Sequence, residues 1–117
     1  MKLSSLLNRK LIFLDRDFNN YQEIIDFISE RFAESTFLPP QVIKESLMRR
    51  ENLGTTFLGH HLALPHGYLD SIKDIHILFI RLSSQITVTY DYKQNKIKYI
   101  FAVLTSTKKA QVYRSEE

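Results

Sequence analysis

Apolar positions change their period once along this chain. From Tyr21 to Phe32 they recur at three- and four-residue steps, as Tyr21, Ile24, Ile25, Ile28 and Phe32. Glu23, Asp26, Glu30 and Arg31 fall on the other face, so the stretch predicts an amphipathic helix. Asn19 or Asn20 can cap it. Ser35 to Leu38 reads as a connection. Pro39-Pro40 then opens a second helix, because proline is tolerated in a first turn. Val42, Ile43, Leu47 and Met48 form its buried stripe. Glu45 and Arg49 are spaced as an i, i+4 ion pair in the favourable order. The helix should stop near Asn52, with Gly54 just beyond it.

From Thr55 the period falls to two. Phe57–Leu64 is a strand candidate interrupted by Gly59, and Ile75–Leu82 is a strongly apolar strand. Ile86–Tyr92 alternates Ile86, Val88, Tyr90 and Tyr92 with polar neighbours, as a half-buried strand does. Gln94-Asn95 marks a hairpin turn, from which Ile97–Leu104 returns. Before the first helix, Leu3, Leu6 and Leu7 suggest a short helix or turn, followed by a strand over Leu11–Leu14. After Thr105 the chain is polar. Helices first and strands afterwards give an α/β (α+β) layer protein. No internal repeat or long linker divides it, so residues 1–117 are expected to form one domain.

Composition narrows the function classes without choosing among them. The apolar content of 44% and charged content of 25% are those of an ordinary globular domain. The net charge of +3 is mild, and the basic residues alternate with acids. Tyr90, Tyr92 and Tyr99 with Lys93, Lys96 and Lys98 read as a solvated hairpin with one packed face, so no nucleic-acid partner is expected. No stretch approaches a membrane span, and the first residues lack a cleavage site. The absence of cysteine excludes disulfides and thiol chemistry and fits a cytoplasmic protein.

Candidate chemistry is concentrated in the segment RRENLGTTFLGHHLALPHG, from Arg49 to Gly67. Pro65 has a fixed φ and no N–H, so it ends a strand. Gly67 permits a turn that a side chain would restrict. His66 between them is expected at a strand end, with its ring towards solvent. Neutral imidazole is abundant near pH 7 and nucleophilic, which suits phosphoryl acceptance. Such transfer needs positioning and positive charge around the phosphoryl oxygens, and the fork of Arg50 matches that geometry.

Arg50-Glu51, Gly54-Thr55-Thr56, Leu58-Gly59 and Ala63-Leu64-Pro65-His66-Gly67 together resemble the active-site pattern of type-2 enzyme IIA domains. These belong to the fructose, mannitol and nitrogen-regulatory branch of the bacterial sugar phosphotransferase system. The pattern reads R-E, a small spacer with Thr, then G-x-G-h-A-h-P-H-G. The resemblance implies a mixed, roughly five-stranded sheet with helices on both faces. It also implies that His66 takes a phosphoryl group from the phosphohistidine of HPr and passes it to a IIB component, with Arg50 stabilising charge. No metal or other cofactor is implied. Regulatory relatives of this type imply an alternative, in which the phosphorylation state of His66 controls protein partners. A degenerate domain that binds without transferring is a third reading.

The remaining candidates are supporting ones. Glu51 is expected to orient Arg50. The hydroxyls of Thr55 and Thr56 could reach phosphoryl oxygens or the His66 ring. His61 stands where the family favours a small residue and could crowd the site or add a donor to it. Phe57, Leu62, Tyr68 and Leu69 are candidates for a shallow apolar docking patch. His60, His61, His66 and His76 invite a zinc hypothesis. Neighbouring strand residues such as His60 and His61 point to opposite faces, however, and no metal is expected. His76 is expected to be structural. Some family members carry a second histidine after the last strand, whereas this chain has Gln111 in that region. Relative to the family the chain is short at its C-terminus. It is expected to lack the helices that cover the sheet there, leaving an apolar face open to self-association.

Overall fold

The computed structural model describes residues 11–107. The expected short helix around Leu3, Leu6 and Leu7, Gln111 and most of the polar tail lie outside those residues. The elements run β1 (Ile12–Arg16), α1 (Tyr21–Thr36), α2 (Pro40–Glu51), β2 (Phe57–Gly59), β3 (Leu62–Ala63), β4 (His66–Tyr68), β5 (His76–Tyr90) and β6 (Lys93–Thr105).

The helices begin where the sequence places them. Asn20 caps α1, its Oδ1 accepting the N–H of Glu23 at 2.9 Å. Pro39 and Pro40 open α2. Two details differ from expectation. Val42 is exposed, because Ile43, Ser46 and Leu47 take the inward positions of α2. The Glu45–Arg49 pair is not formed. Glu45 instead accepts from Gln41 Nε2 at 3.3 Å, one turn earlier.

Six strands form one mixed sheet in the order β1-β5-β6-β3-β2, with β4 also paired to β6. Leu78, Ile80 and Leu82 of β5 and Ile100, Ala102 and Leu104 of β6 alternate onto one face. There they join Ile24, Ile25, Ile28, Phe32, Ile43 and Leu47 of the two helices in a single buried cluster. Both described helices therefore cover the same face, whereas the family resemblance implies helices on both. Phe79, Tyr99 and Phe101 alternate to the opposite face. The Phe79 ring stacks on Tyr99 with centroids 6.5 Å apart and meets Phe101 edge-on at 6.0 Å. Ile12, paired with Phe79, is 36% exposed.

The strand region is cut differently from the prediction. The candidate Phe57–Leu64 is two short strands joined at His60-His61, both with positive φ (53° and 65°). Hence those histidines are turn residues rather than opposite faces of a strand. The two candidates Ile75–Leu82 and Ile86–Tyr92 are one strand, β5, whose register with β6 shifts between Arg81 and Ile86. The hairpin turns at Asp91-Tyr92, with φ of 52° and 64°, and not at Gln94-Asn95, which lies within β6.

Candidate phosphoryl-acceptor site

The site lies where the end of α2 meets β4. Strand β4 runs parallel to the end of β6, with His66 opposite Val103 and Gly67 opposite Leu104. Its height against α2 is set by Gly67. A Cβ built there would lie 2.5 Å from Ser46 Oγ and 3.2 Å from Ser46 Cβ and backbone carbon. Glycine is required at this position by close approach to the helix. It does not supply the backbone freedom expected of a turn, since the positive-φ glycines are Gly54 and Gly59. Ser46 cannot easily swing away, because its hydroxyl donates to the Ile43 carbonyl at 2.7 Å inside α2.

His66 is half-buried, and both of its ring nitrogens are engaged. Nδ1 lies 2.9 Å from the Leu64 carbonyl oxygen, and Nε2 lies 3.1 Å from Nε of Arg50. A carbonyl can only accept, so Nδ1 carries the proton and donates it. An arginine Nε–H can only donate, so Nε2 presents its lone pair. The two contacts thus fix one tautomer in which Nε2 is the nucleophilic atom. Tyr68 packs against the imidazole at a right angle, with centroids 5.7 Å apart.

Arg50 is half-buried on the last turn of α2, while Arg49 beside it is exposed. One terminal nitrogen of Arg50 donates to the Gly54 carbonyl at 2.9 Å, which holds the guanidinium over His66. Among the described residues no carboxylate lies within ion-pair distance of Arg50. Its Nε–H is aimed at the imidazole.

The supporting residues separate into two groups. Glu51 does not touch the guanidinium. It turns inward, is 8% exposed, and accepts from Thr56 Oγ1 at 2.5 Å. Thr56 therefore faces Glu51, and neither the His66 ring nor the site's open side. The exposed Thr55 hydroxyl accepts from the backbone N–H of Phe57 at 3.1 Å. His61 is not gathered into the cluster. Its Nδ1 lies 3.1 Å from the Lys96 carbonyl oxygen, at the β2–β3 turn. His76 packs edge-on against Phe32 and touches Ser35. Among the described residues no three His, Cys, Asp or Glu side chains converge as a metal site would require.

Of the proposed docking residues, Phe57 and Leu69 lean on the core. Phe57 sits edge-on to Tyr21 and Tyr90. Tyr68 belongs to the His66 environment, and Leu62 pairs with Tyr99 in the sheet. Sequence reasoning missed Leu53 and Leu58, which are 82% and 56% exposed. The N–H of Leu53 bonds the Arg50 carbonyl, so the Leu53 backbone lies just past the helix end that carries Arg50. Its signal was available in an apolar residue placed past a helix end. No described helix is long and apolar enough to cross a membrane.

A nitrogen regulatory protein of Escherichia coli (strain K12) is 33% identical over 107 residues, covering 89% of this chain and 64% of that protein. The chain therefore spans a little under two thirds of that curated relative. Among solved structures, the nitrogen regulatory protein IIA-Ntr from Neisseria meningitidis superimposes with a TM-score of 0.84 at 24% identity, covering 97% of this chain and 77% of that one. Enzyme IIAMTL of Escherichia coli, solved in complex with phosphorylated enzyme IIBMTL, gives a TM-score of 0.73 at 21% identity, covering 93% and 77%. These two likenesses establish the shared fold. The family described as phosphoenolpyruvate-dependent sugar phosphotransferase system, EIIA 2, matches residues 5–114, and the chain belongs to it.

Proposed function

We propose that His66 is a phosphoryl acceptor and that the chain is a phosphohistidine carrier, charged by phospho-HPr and discharged onto a IIB component. The observation that carries this reading is the fixed tautomer of His66, whose Nε2 lone pair faces an arginine with no carboxylate partner among the described residues. In the transfer, the Nε2 lone pair attacks phosphorus and the Nε2–P bond forms. The donor's N–P bond breaks, and its electron pair returns to the donor ring. The His66 ring gains positive character, which the Leu64 carbonyl stabilises through Nδ1–H. Arg50 moves its donors from Nε2 to the phosphoryl oxygens, where charge is concentrated. No metal is needed, since the leaving imidazole is already a good leaving group.

A second reading has its own support in the sequence relatives named as nitrogen regulatory proteins. Here the same chemistry at His66 would act as a switch, adding about two negative charges to a surface that a protein partner reads. The complex of enzyme IIAMTL with phosphorylated enzyme IIBMTL supports the carrier reading by fold analogy.

The test is to incubate the chain with phosphoenolpyruvate, enzyme I and HPr and read intact mass, with His66→Ala alongside. One acid-labile phosphoryl adduct on the parent chain alone is the expected result. No adduct on a folded parent chain would overturn both readings and leave a binding domain that transfers nothing. Onward transfer to a IIB cysteine then selects the carrier, and its failure selects the switch.

A further inference from the structure

Glu51 presents a problem that the acceptor role of His66 does not solve. It is a buried carboxylate, and among the described residues no cation lies within ion-pair distance of it. Burying such a group is costly unless hydrogen bonds replace its water. Two hydroxyls do so from separate elements. Thr56 Oγ1 donates to Glu51 Oε1 at 2.5 Å from the entry to β2, and the Tyr21 hydroxyl approaches the same oxygen at 3.5 Å from the first residue of α1. Burial first, and then the neighbouring Glu51 carboxylate, push the Tyr21 phenol far above its ordinary range, so the phenol stays protonated and able to donate.

The geometry closes into a ring around the site. Glu51 follows Arg50 on the last turn of α2, so fixing Glu51 fixes the backbone from which Arg50 reaches out. The Gly54 N–H bonds the Glu51 carbonyl, and the Gly54 carbonyl holds Arg50. On the other side, the backbone carbonyl of Thr56 accepts the N–H of Leu64 at 2.9 Å. The Leu64 carbonyl in turn holds Nδ1 of His66. Thr56 is thus bonded by its side chain to Glu51, the neighbour of Arg50, and by its main chain to Leu64, whose carbonyl holds His66.

We infer that Tyr21 and Thr56 are positioning residues for phosphoryl transfer, acting through the buried Glu51 carboxylate to set the Arg50 guanidinium against Nε2 of His66. The inference rests on the acceptor role proposed for His66. Neither hydroxyl touches the reacting atoms, and Tyr21 lies thirty residues from Arg50's neighbour in sequence.

Thr56→Val removes the hydroxyl and keeps the main-chain bond to Leu64. Tyr21→Phe keeps the ring that packs on Phe57 and removes only the phenol oxygen. The full chain carrying each change is assayed for the rate of phosphorylation against phospho-HPr concentration, and the Arg50 Nε–H resonance is followed by nitrogen-15 NMR. Thr56→Val is expected to lower the maximal rate about tenfold while KM for the donor stays within about twofold, because misplacement acts on the transition state. Thr56→Ser should restore most of the rate, and Tyr21→Phe should lower it about threefold. In both impaired variants the Arg50 Nε–H signal should move towards that of a free guanidinium. An unchanged rate and an unmoved Arg50 signal in folded Thr56→Val would overturn the inference. Should the parent chain accept no phosphoryl group, the acceptor reading fails by itself. The Arg50 resonance then still decides the network, supporting it if displaced and sinking it if not.

Discussion

His66 and His76 stand on either side of the same stretch of β6, one opposite Val103 and the other opposite Leu104. Both are half-buried and both begin a strand. Their surroundings differ in kind. His66 has a donor on one nitrogen and an acceptor on the other, supplied by the end of α2 and the loop between β3 and β4. His76 lies against the Phe32 ring and has Ser35 Oγ 3.3 Å from Nδ1, at the end of α1. Equal burial therefore does not make equal chemistry. An imidazole suited to the proposed acceptor role has its tautomer fixed by a carbonyl on one nitrogen and an arginine donor at the other. An imidazole becomes packing when an aromatic edge and a hydroxyl satisfy it.

The contrast is broken most severely at Arg50. Arg50→Ala removes the cation and the donor on Nε2 and leaves His66, like His76, with no guanidinium at its ring. The rate of phosphoryl uptake is expected to fall about 10²–10³-fold, as when a transition-state donor is removed. The fold should stay intact, since Arg50 lies outside the buried hydrophobic cluster. Rapid-quench phosphorylation with a parallel thermal melt checks both halves. Arg50→Lys should recover little, because a point charge cannot bond Gly54 and the phosphoryl oxygens in one fork.

A change of intermediate size acts on the floor of the site. Gly67→Ala places a methyl group 2.5 Å from Ser46 Oγ, so β4 must lift or α2 must move. Overpacking of this kind costs about 1–3 kcal/mol, readable by urea unfolding. It should also carry His66 away from Arg50 and reduce phosphorylation in a chain that still folds. Ser46→Ala in the same chain removes the nearest atom and should return part of both losses. A Gly67→Ala chain with parental stability would show that the close approach can relax.

Much of this was legible in sequence, and the exceptions have physical causes. The helices follow from an Asn cap, a Pro-Pro start and apolar residues at helical spacing. His66 and Arg50 follow from residue chemistry and the motif. Adjacent helix residues point about 100° apart, so Glu51 turns inward as Arg50 turns out, and side-by-side lettering hid that. Tyr21 reads as one more core residue of α1, because spacing reports the ring and not the hydroxyl. Gly67 reads as freedom to turn, because no sequence announces a helix 3 Å away. The hairpin turn was missed because Asp91 and Tyr92 hold left-handed conformations that Gly or Asn usually signals. His61 was drawn into the site by its nearness in sequence, but the β2–β3 turn sends its ring to Lys96.

The smallest expected effect sharpens the contrast from the His76 side. Burial, against an opposing pull from Asp74, holds the His76 ring below its ordinary range, so the unfolded chain takes up that proton at a higher pH than the folded one. By linkage, this contribution to stability is full above the ordinary histidine pKa of about 6.5. It declines as pH falls through that value and levels off once the folded ring itself is protonated. His76→Gln keeps a polar partner for Ser35 and cannot titrate. Its thermal midpoint should therefore fall less than the parent's between pH 7.5 and pH 5.5 (both pH values taken about one unit either side of the free histidine pKa). Phosphoryl uptake at pH 7.5 should be unchanged. If His76→Gln loses phosphorylation at full stability, the two histidines are coupled through β6, and the division between a reactive imidazole and a packed one fails.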